Sequence, residues 1–426
     1  MGSCTGGRSV SRPLAYGIDF GTSNSSISVA WNDGAEIGAV NDRGDTFMPS
    51  IVYIDSTRNR LAGIDAVDNY VRFATDPSRA RIMSSLKSFL TDRSFQLTTT
   101  AWGERFTMPD LVAIILRELK RANDERLNAN VERVVIGHPV LFAGAVGPGF
   151  ESLQDHALAQ LEQAARIAGF KEIEFLDEPT AASMGEDQTE GIVMALDFGG
   201  GTFDASIIDF SAEIGEVLSM HGAAIGGELF DTLLFDAKVA RELNLDREYV
   251  INGKRMAVPG VLRNMRTLHE IIGMVGDDRV RRAFEYLNLA GDAPMAVVEE
   301  IIYGGHAYNF FRAIENAKIE LSSQRASTIR FRRPLIDISI PVQQGEFEAL
   351  IEANIETIDF QVDRTLADAR LDAKDVDLVI RTGGSSRIPA FVHRLEDRFG
   401  QEKLVERDAF TTVALGLGMR ACELWG

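Results

Sequence analysis

The chain has 426 residues, 44 basic and 63 acidic side chains for a net charge of −19, and two cysteines. At roughly 100–200 residues per domain, that length means two or three domains or one bilobed body, and 45% hydrophobic with 25% charged residues is the make-up of a folded soluble protein. The acidic balance argues against a nucleic-acid partner, and Cys4 and Cys422 supply at most one bridge, which excludes a disulfide scaffold and fits a reducing compartment.

In chain order, residues 1–14 read as a disordered Gly/Ser-rich tail. They lack the apolar segment of a signal peptide, and Gly6 stands where a myristoylation signal wants Ser or Thr. The apolar run Leu111–Leu116 is far short of the ~20 residues a membrane span needs, so a cytoplasmic protein without membrane contact is expected. Leu14–Ile18 reads as a buried strand that ends at Asp19, followed by a small-residue turn and an alternating run with Ile27 and Val29 on one face. Leu111–Leu127 has helical spacing. Residues 131–137 read as a strand stopped by Pro139, residues 152–168 as a helix closed by Gly169, and residues 172–176 as another strand. Asp177-Glu178-Pro179 then opens a helix, with proline suited to its first turn. Ile192–Leu196 repeats the first pattern: a strand, Asp197, a glycine turn, and an alternating run with Phe203, Ala205 and Ile207 on one face. Residues 376–380 form a strand leading into a third glycine turn, and the last helix covers Thr412–Leu424. Its Gly416-x-Gly418-x-x-Ala421 superficially matches a dinucleotide fingerprint. It lies inside a helical pattern with no acidic partner ~20 residues on, so it reads as close helix packing.

The two strand-turn-strand units are an internal repeat. GIDFGTSNSSISV at 17–29 aligns with ALDFGGGTFDASI at 195–207, matching Asp19 to Asp197, Phe20 to Phe198, Gly21 to Gly199 and Ser28 to Ser206, one domain length apart. Glycine at such a tip lets backbone N–H groups approach a ligand, and consecutive N–H groups make an anion nest. Two nests, each beside an aspartate, point to phosphate on one side and a hydrated cation, magnesium by its chemistry, on the other. No GxxxxGK[ST] loop occurs, and the six histidines show no metal-ligand spacing.

GIDFGTSNS, DEPTAA, ALDFGGGTFDAS, GGELFD (226–231) and TGGSSRIP (382–389) occur in the order seen in the nucleotide-binding domain of DnaK-type heat-shock chaperones. The resemblance runs from about Ala15 to Ala421, and the chain ends soon after the last helix, as in the short YegD-type chaperone-like proteins. It implies an α/β, actin-like ATPase fold: two duplicated ribonuclease-H-like lobes with a nucleotide cleft between them. Lobe I is expected over 15–190, with 406–426 returning to it and an outer subdomain at about 40–105. Lobe II is expected over 191–405, with an outer subdomain at about 228–345, and no peptide-binding domain is expected.

The resemblance also implies roles. Asp19 and Asp197 resemble the carboxylates that hold magnesium through its waters. Gly21, Thr22, Ser23 and Asn24 resemble the first phosphate loop; Gly199, Gly200, Gly201 and Thr202 resemble the second. Glu178 resembles the acid that orients metal-bound water, Lys87 the lysine that contacts the γ-phosphate and the attacking water, and Asp204 a further acid of the water network. Glu315, Lys318 and Ser322 resemble the nucleoside-contacting helix, with Gly383, Gly384, Ser385 and Arg387 on the other side of the adenosine and Gly227 closing over it. The chain departs from the pattern at Asn24, where an aromatic is usual, at Ile319, where an arginine is common, at Phe410, where an aspartate is usual, and at Gly147, where an arginine partners the proline matched by Pro139. The expected activity is magnesium-dependent ATP hydrolysis to ADP driving a conformational switch, with an unidentified client or co-chaperone as partner. A small-molecule kinase on the same fold and a nucleotide-regulated scaffold or filament are the alternatives. The aromatics Tyr286, Tyr303, Tyr308, Phe310 and Phe311 read as core packing, and Cys4 and Cys422 as unpaired and inert.

Overall fold

A six-stranded and a five-stranded sheet, sharing one order over five strands, organise the computed structural model, which describes residues 12–73, 80–92, 99–101, 104–142, 150–184, 191–211, 216–290, 293–407 and 411–426; the sixth strand of the first sheet, Phe47–Pro49, pairs with the start of Asn24–Trp31. In the first sheet, Ala15–Phe20 pairs antiparallel with Asn24–Trp31, which pairs antiparallel with Gly34–Ile37. On its other side Ala15–Phe20 runs parallel to Arg133–His138, and that strand parallel to Glu172–Asp177. In the second sheet, Ile192–Phe198 pairs antiparallel with Phe203–Asp209, which pairs antiparallel with Glu216–Ala223. Its other side runs parallel to Leu378–Thr382, then Leu404–Glu406. The sequence repeat is therefore a repeat of topology. The equivalent register pairs are Asp19 with Ser26 and Asp197 with Asp204, one aspartate at the mouth of each hairpin.

Parallel strands need helical crossovers, and the chain supplies them. The helix Met108–Leu127 precedes the strand Arg133–His138. Thr107 caps it with Asp110 in a reciprocal capping box, and Pro109 sits in the first turn. The helices Phe150–Ala168 and Glu178–Met184 flank the strand Glu172–Asp177. Each sheet has its own large apolar cluster. One is centred on Tyr16, Ile18, Phe20, Leu111 and Val134, the other on Phe198, Phe203, Phe230, Phe310 and Phe391. Phe310 is buried in the second cluster, with Tyr286, Tyr303 and Phe311 packed against it, as the core reading expects. Tyr308 instead packs, with Ile272, against a small cluster of Ile51, Tyr53, Val67 and Ile82, so it bridges the two halves of the molecule.

The helix Thr412–Trp425 returns to the first sheet, where Val413, Leu417 and Ala421 pack on Ala15, Ala30 and Val135. Its two glycines are what bring it that close. A Cβ on Gly416 would lie 1.7 Å from the carbonyl oxygen of Ala181, and one on Gly418 would lie 2.5 Å from Ser28 Oγ. The Ser28 hydroxyl donates to the Ala414 carbonyl. Gly416 and Gly418 thus serve close packing, as their helical context predicts. Cys422 is a free thiol, while Cys4, Gly147 and Phe410 lie outside the described residues. No helix is long and apolar enough to cross a membrane among the described residues. Because backbone cannot yield to the new methyl group, Gly416→Ala is expected to destabilise the fold by about 2–3 kcal/mol. Thermal melting of the variant checks this, and an unchanged transition would show that the helix stands further off.

Candidate active site

The two hairpin tips meet. A Cβ on Gly200 would lie 2.5 Å from Ser23 Oγ, and one on Gly201 would lie 2.8 Å from Thr22 Oγ1, so a side chain on the second turn would press on the hydroxyls of the first. Gly226 and Gly227 follow the strand Glu216–Ala223 and dock on the same turn. The Gly227 N–H donates to the Gly199 carbonyl (3.1 Å) and the Glu228 N–H to the Gly200 carbonyl (2.8 Å). The third glycine turn arrives from the strand Leu378–Thr382. Gly383 takes φ +86°, and a Cβ there would lie 2.2 Å from the Phe198 carbonyl oxygen, while Ser385 Oγ donates to the Gly199 carbonyl at 2.9 Å. Three loops distant in sequence are thereby closed around one point.

Beside that point stands a buried ion pair. Lys87, on the short 3₁₀ turn Leu86–Phe89, donates from Nζ to Glu178 Oε1 at 2.5 Å, with both side chains less than a tenth exposed. Glu178 opens the helix Glu178–Met184. Around the pair lie Asp19, Asp197 and Asp204, and their chemistry shows one crowded field of negative charge. Burial pushes the Asp19 carboxyl well above its ordinary range; Glu178 and Asp197 add to this, and Lys87 opposes it. Burial and Glu178 push Asp197 up to about 6, against the Thr382 hydroxyl, which donates to Asp197 Oδ1 at 2.8 Å, and the Lys87 charge. Burial, Glu178 and Asp197 raise Asp204 well above the carboxylate range, although the Leu141 N–H donates to its Oδ1 at 3.2 Å. For Lys87 itself, burial disfavours the charge, but Glu178, Asp19 and Asp197 outweigh it and hold the ammonium protonated.

One ammonium faces four carboxylates, and Asp204 Oδ2 is buried with no hydrogen-bond partner. That imbalance fits a hydrated divalent cation, whose charge would discharge it. Among the described residues no three carboxylate, imidazole or thiolate groups converge as a direct ligand set.

A second polar cluster lies across the Gly226-Gly227 turn. Lys318, on the helix Ala307–Leu321, donates to the Gly227 carbonyl (2.9 Å) and to Asp231 Oδ2 (2.8 Å). A Cβ on Gly227 would lie 3.0 Å from both Lys318 Nζ and Ser385 Oγ, so Gly227, Lys318 and Ser385 do come together. Glu315 adds its charge to the burial that pushes Glu228 and Asp231 upward, but neither it nor Arg387 hydrogen-bonds to this cluster. Glu315 accepts from Arg312 at 2.5 Å and Arg387 donates to Glu406 at 2.7 Å, both ordinary local ion pairs. Ser322 caps the end of the same helix, Asn24 opens the second strand of the first hairpin, and Ile319 is exposed.

Four groups at the site receive no role in the sequence reading: Thr382, Ser85, Glu228 and Asp231. Ser85 takes the left-handed conformation (φ 56°) just before Lys87 and donates from Oγ to Glu228 Oε1 at 2.6 Å, joining parts of the chain that belong to opposite sheets. Burial pushes Glu228 up to about 7, opposed by the Ser85 hydrogen bond. Asp231 Oδ1 is buried without a partner. Their only sequence signal was their place inside or beside the quoted motifs.

Comparison with known proteins gives one consistent answer. The model of the Hsp70 protein family matches residues 15–265 and 307–426. Chaperone protein DnaK of Halobacterium salinarum is 28% identical over 420 residues, covering 96% of this chain and 56% of its own length. Heat shock 70 kDa protein 7, chloroplastic, of Arabidopsis thaliana is 27% identical over 441 residues, covering 96% and 52%, and the HscA homolog of Haemophilus influenzae is 25% identical over 435 residues, covering 97% and 58%. The chain thus spans about half the length of these relatives.

The raised Asp197 fixes the sign of a stability effect. A carboxyl whose folded pKa is about 6 against 3.8 binds more protons folded than unfolded between those values, so stability falls as pH rises through that window. Asp197→Asn is expected to stabilise the ligand-free protein by about 1–2 kcal/mol at pH 7 and to flatten the slope of stability between about pH 4 and 6. Denaturant melts across that range test it; an unchanged slope would place the aspartate outside the charged cluster.

Proposed function

The chain belongs to the Hsp70 family, and from that premise we propose that its cleft binds ATP with magnesium and hydrolyses it to ADP and phosphate, coupling the reaction to relative movement of two lobes. The lobes are taken as residues 15–190 with the returning 406–426, and 191–405. The observation that carries the reading is the buried Lys87–Glu178 pair set among Asp19, Asp197 and Asp204, beside the abutting turns Gly21–Ser23 and Gly199–Thr202.

Phosphoryl transfer asks mainly for positioning and charge neutralisation. Asp19 and Asp197 would hold the magnesium ion through its waters, and the ion when bound neutralises charge on the phosphate oxygens. The glycine turns would offer backbone N–H groups to phosphate, apart from that of Gly199, which donates to the Thr202 carbonyl at 3.0 Å, with the Thr22 and Thr202 hydroxyls beside them. Glu178 aims the Lys87 ammonium, and burial keeps that charge unscreened where charge builds on the transferred group. Thr382 donates to the Asp197 carboxylate, and Asp204, with Oδ2 unpartnered, would hydrogen-bond to water in the cleft. On the nucleoside side, Gly227, Lys318 and Ser385 form the wall, with Gly383, Gly384, Arg387, Glu315 and Ser322 at its margin. Family membership and these named relatives support a chaperone-like ATPase. A client or co-chaperone and a cytoplasmic setting belong to the proposal, the latter consistent with two cysteines in 426 residues.

Single-turnover ATP hydrolysis with magnesium tests the assignment. If the Lys87 ammonium acts like one oxyanion donor, Lys87→Ala costs about 3 kcal/mol, roughly a hundredfold in rate, while nucleotide binding persists. Binding without turnover in the parent protein would favour a nucleotide-sensing scaffold. Turnover that needs an added hydroxyl acceptor would make it a kinase.

A further inference from the structure

The hairpin Ala326–Arg333 and Ile336–Gln343 is a two-stranded sheet, and no other strand pairs with either edge among the described residues. Which backbone groups face outward follows from the register. Ala326 lies opposite Gln343, and the Gln344 N–H donates to the Arg325 carbonyl at 2.9 Å. Antiparallel pairs alternate between hydrogen-bonded and non-hydrogen-bonded. Ser327, Ile329, Phe331 and Arg333 therefore spend their N–H and C=O groups on the partner strand. Thr328, Arg330 and Arg332 direct theirs away from it. Pro341, opposite Thr328, confirms the phase, because a proline has no N–H to contribute and fits only at an outward-facing position.

The outward edge of Ala326–Arg333 borders a groove of about 540 Å³ whose other wall is the flank of the helix Ala307–Leu321. The inward stripe of that helix, including Phe310, Ile314 and Ala317, is committed to the core, and Phe310 meets Phe331 edge-on beneath the strand. Small and amide side chains, Asn309, Ala313 and Asn316, line the flank and leave room beside the strand. The charge of the groove is opposite to that of the molecule. Arg312, Arg330, Arg332 and Arg333 line it against one acid, Glu320, in a chain whose net charge is −19. Glu320 accepts from Ser327, Arg332 pairs with the exposed Asp337 and Arg312 with the half-buried Glu315, and among the described residues no ion pair engages the exposed Arg330. Exposed pairs of this kind contribute little and exchange readily.

We propose that this groove docks an extended, acidic segment of a partner protein, which adds as a third strand along Ala326–Arg333 and sets its carboxylates against Arg330 and Arg332. The unspent N–H and C=O groups of Thr328 and Arg330 supply register and affinity, and the arginines select acidic sequence. The site is separate from the nucleotide cleft, so the inference stands or falls apart from the ATPase reading.

The test uses the whole chain and a fluorescent peptide of alternating Glu and Val, about eight residues long to match a strand. Saturable binding is expected, weakening with salt, with amide hydrogen exchange slowed in 326–333. Arg330→Glu with Arg332→Glu should weaken binding by about tenfold or more, with ATP turnover and melting unchanged. Arg330→Ala, expected to cost about threefold, serves if the double variant fails to fold. A peptide N-methylated at alternate residues keeps the charge but cannot complete the ladder, and it should not bind. Equal affinity for the N-methylated peptide, equal affinity of the charge-reversed variant, or no binding at all overturns the proposal. So does full displacement by inorganic pyrophosphate without slowed exchange, which would make the groove a small-anion site.

Discussion

A single ammonium buried among carboxylates is the constraint on which the cleft depends. Lys87 and Glu178 are both nearly inaccessible and come from elements about ninety positions apart, with Asp19, Asp197 and Asp204 within electrostatic reach. Breaking a buried pair by removing one partner is costly, because it strands the other charge. The pair therefore ties the short turn Leu86–Phe89 to the helix Glu178–Met184 and fixes the wall of the site. Burial first, and then the Glu178 charge, push the surrounding acids upward. Unrelieved charge of this kind works against the stability of the ligand-free fold, and it favours whatever cation relieves it.

Duplication explains how such a site is assembled. Each sheet presents an aspartate at the mouth of a glycine-tipped hairpin, and the two hairpins meet tip to tip. The glycines at the join let its parts approach, against backbone at Gly226 and Gly383 and against hydroxyls at Gly200 and Gly201. Gly200 and Gly201 admit Ser23 and Thr22, Gly226 admits the Gly200 carbonyl, and Gly383 admits that of Phe198. The same economy recurs far from the cleft, where Gly416 and Gly418 let the last helix lie against Ala181 and Ser28.

What the sequence made legible followed from short-range physics. Period-two alternation located both hairpins, helical spacing located Leu111–Leu127 of a helix that begins a turn earlier at Met108, and the repeated Asp-Phe-Gly announced the two halves. The role expected of Lys87 rests only on family resemblance, since a lone lysine in SLKSFL carries no pattern of its own. Contacts between distant residues stayed hidden for a plain reason. Ser85 and Glu228 meet across 143 positions, and Ser85 adopts a left-handed conformation with no glycine or asparagine to announce it. Glu315 and Lys318 share a helix face, yet their partners differ. Arg312 claims the first, while Asp231 and a backbone carbonyl claim the second. Helical spacing identifies neighbours on a face but not which elements that face will meet.

The edges of the hairpin Ala326–Gln343 are unequal in a way that bears on self-association. An exposed two-stranded sheet is a hazard because a strand added at one edge exposes a fresh edge for the next, and stacking can continue without limit. Here one edge is crowned with like-charged arginines, which repel the same edge of a second copy, and the other carries Pro341 turned outward, where a ladder would need an N–H. Growth through this hairpin is blocked on one side by chemistry and on the other by charge. Such a surface can end a sheet but cannot propagate one.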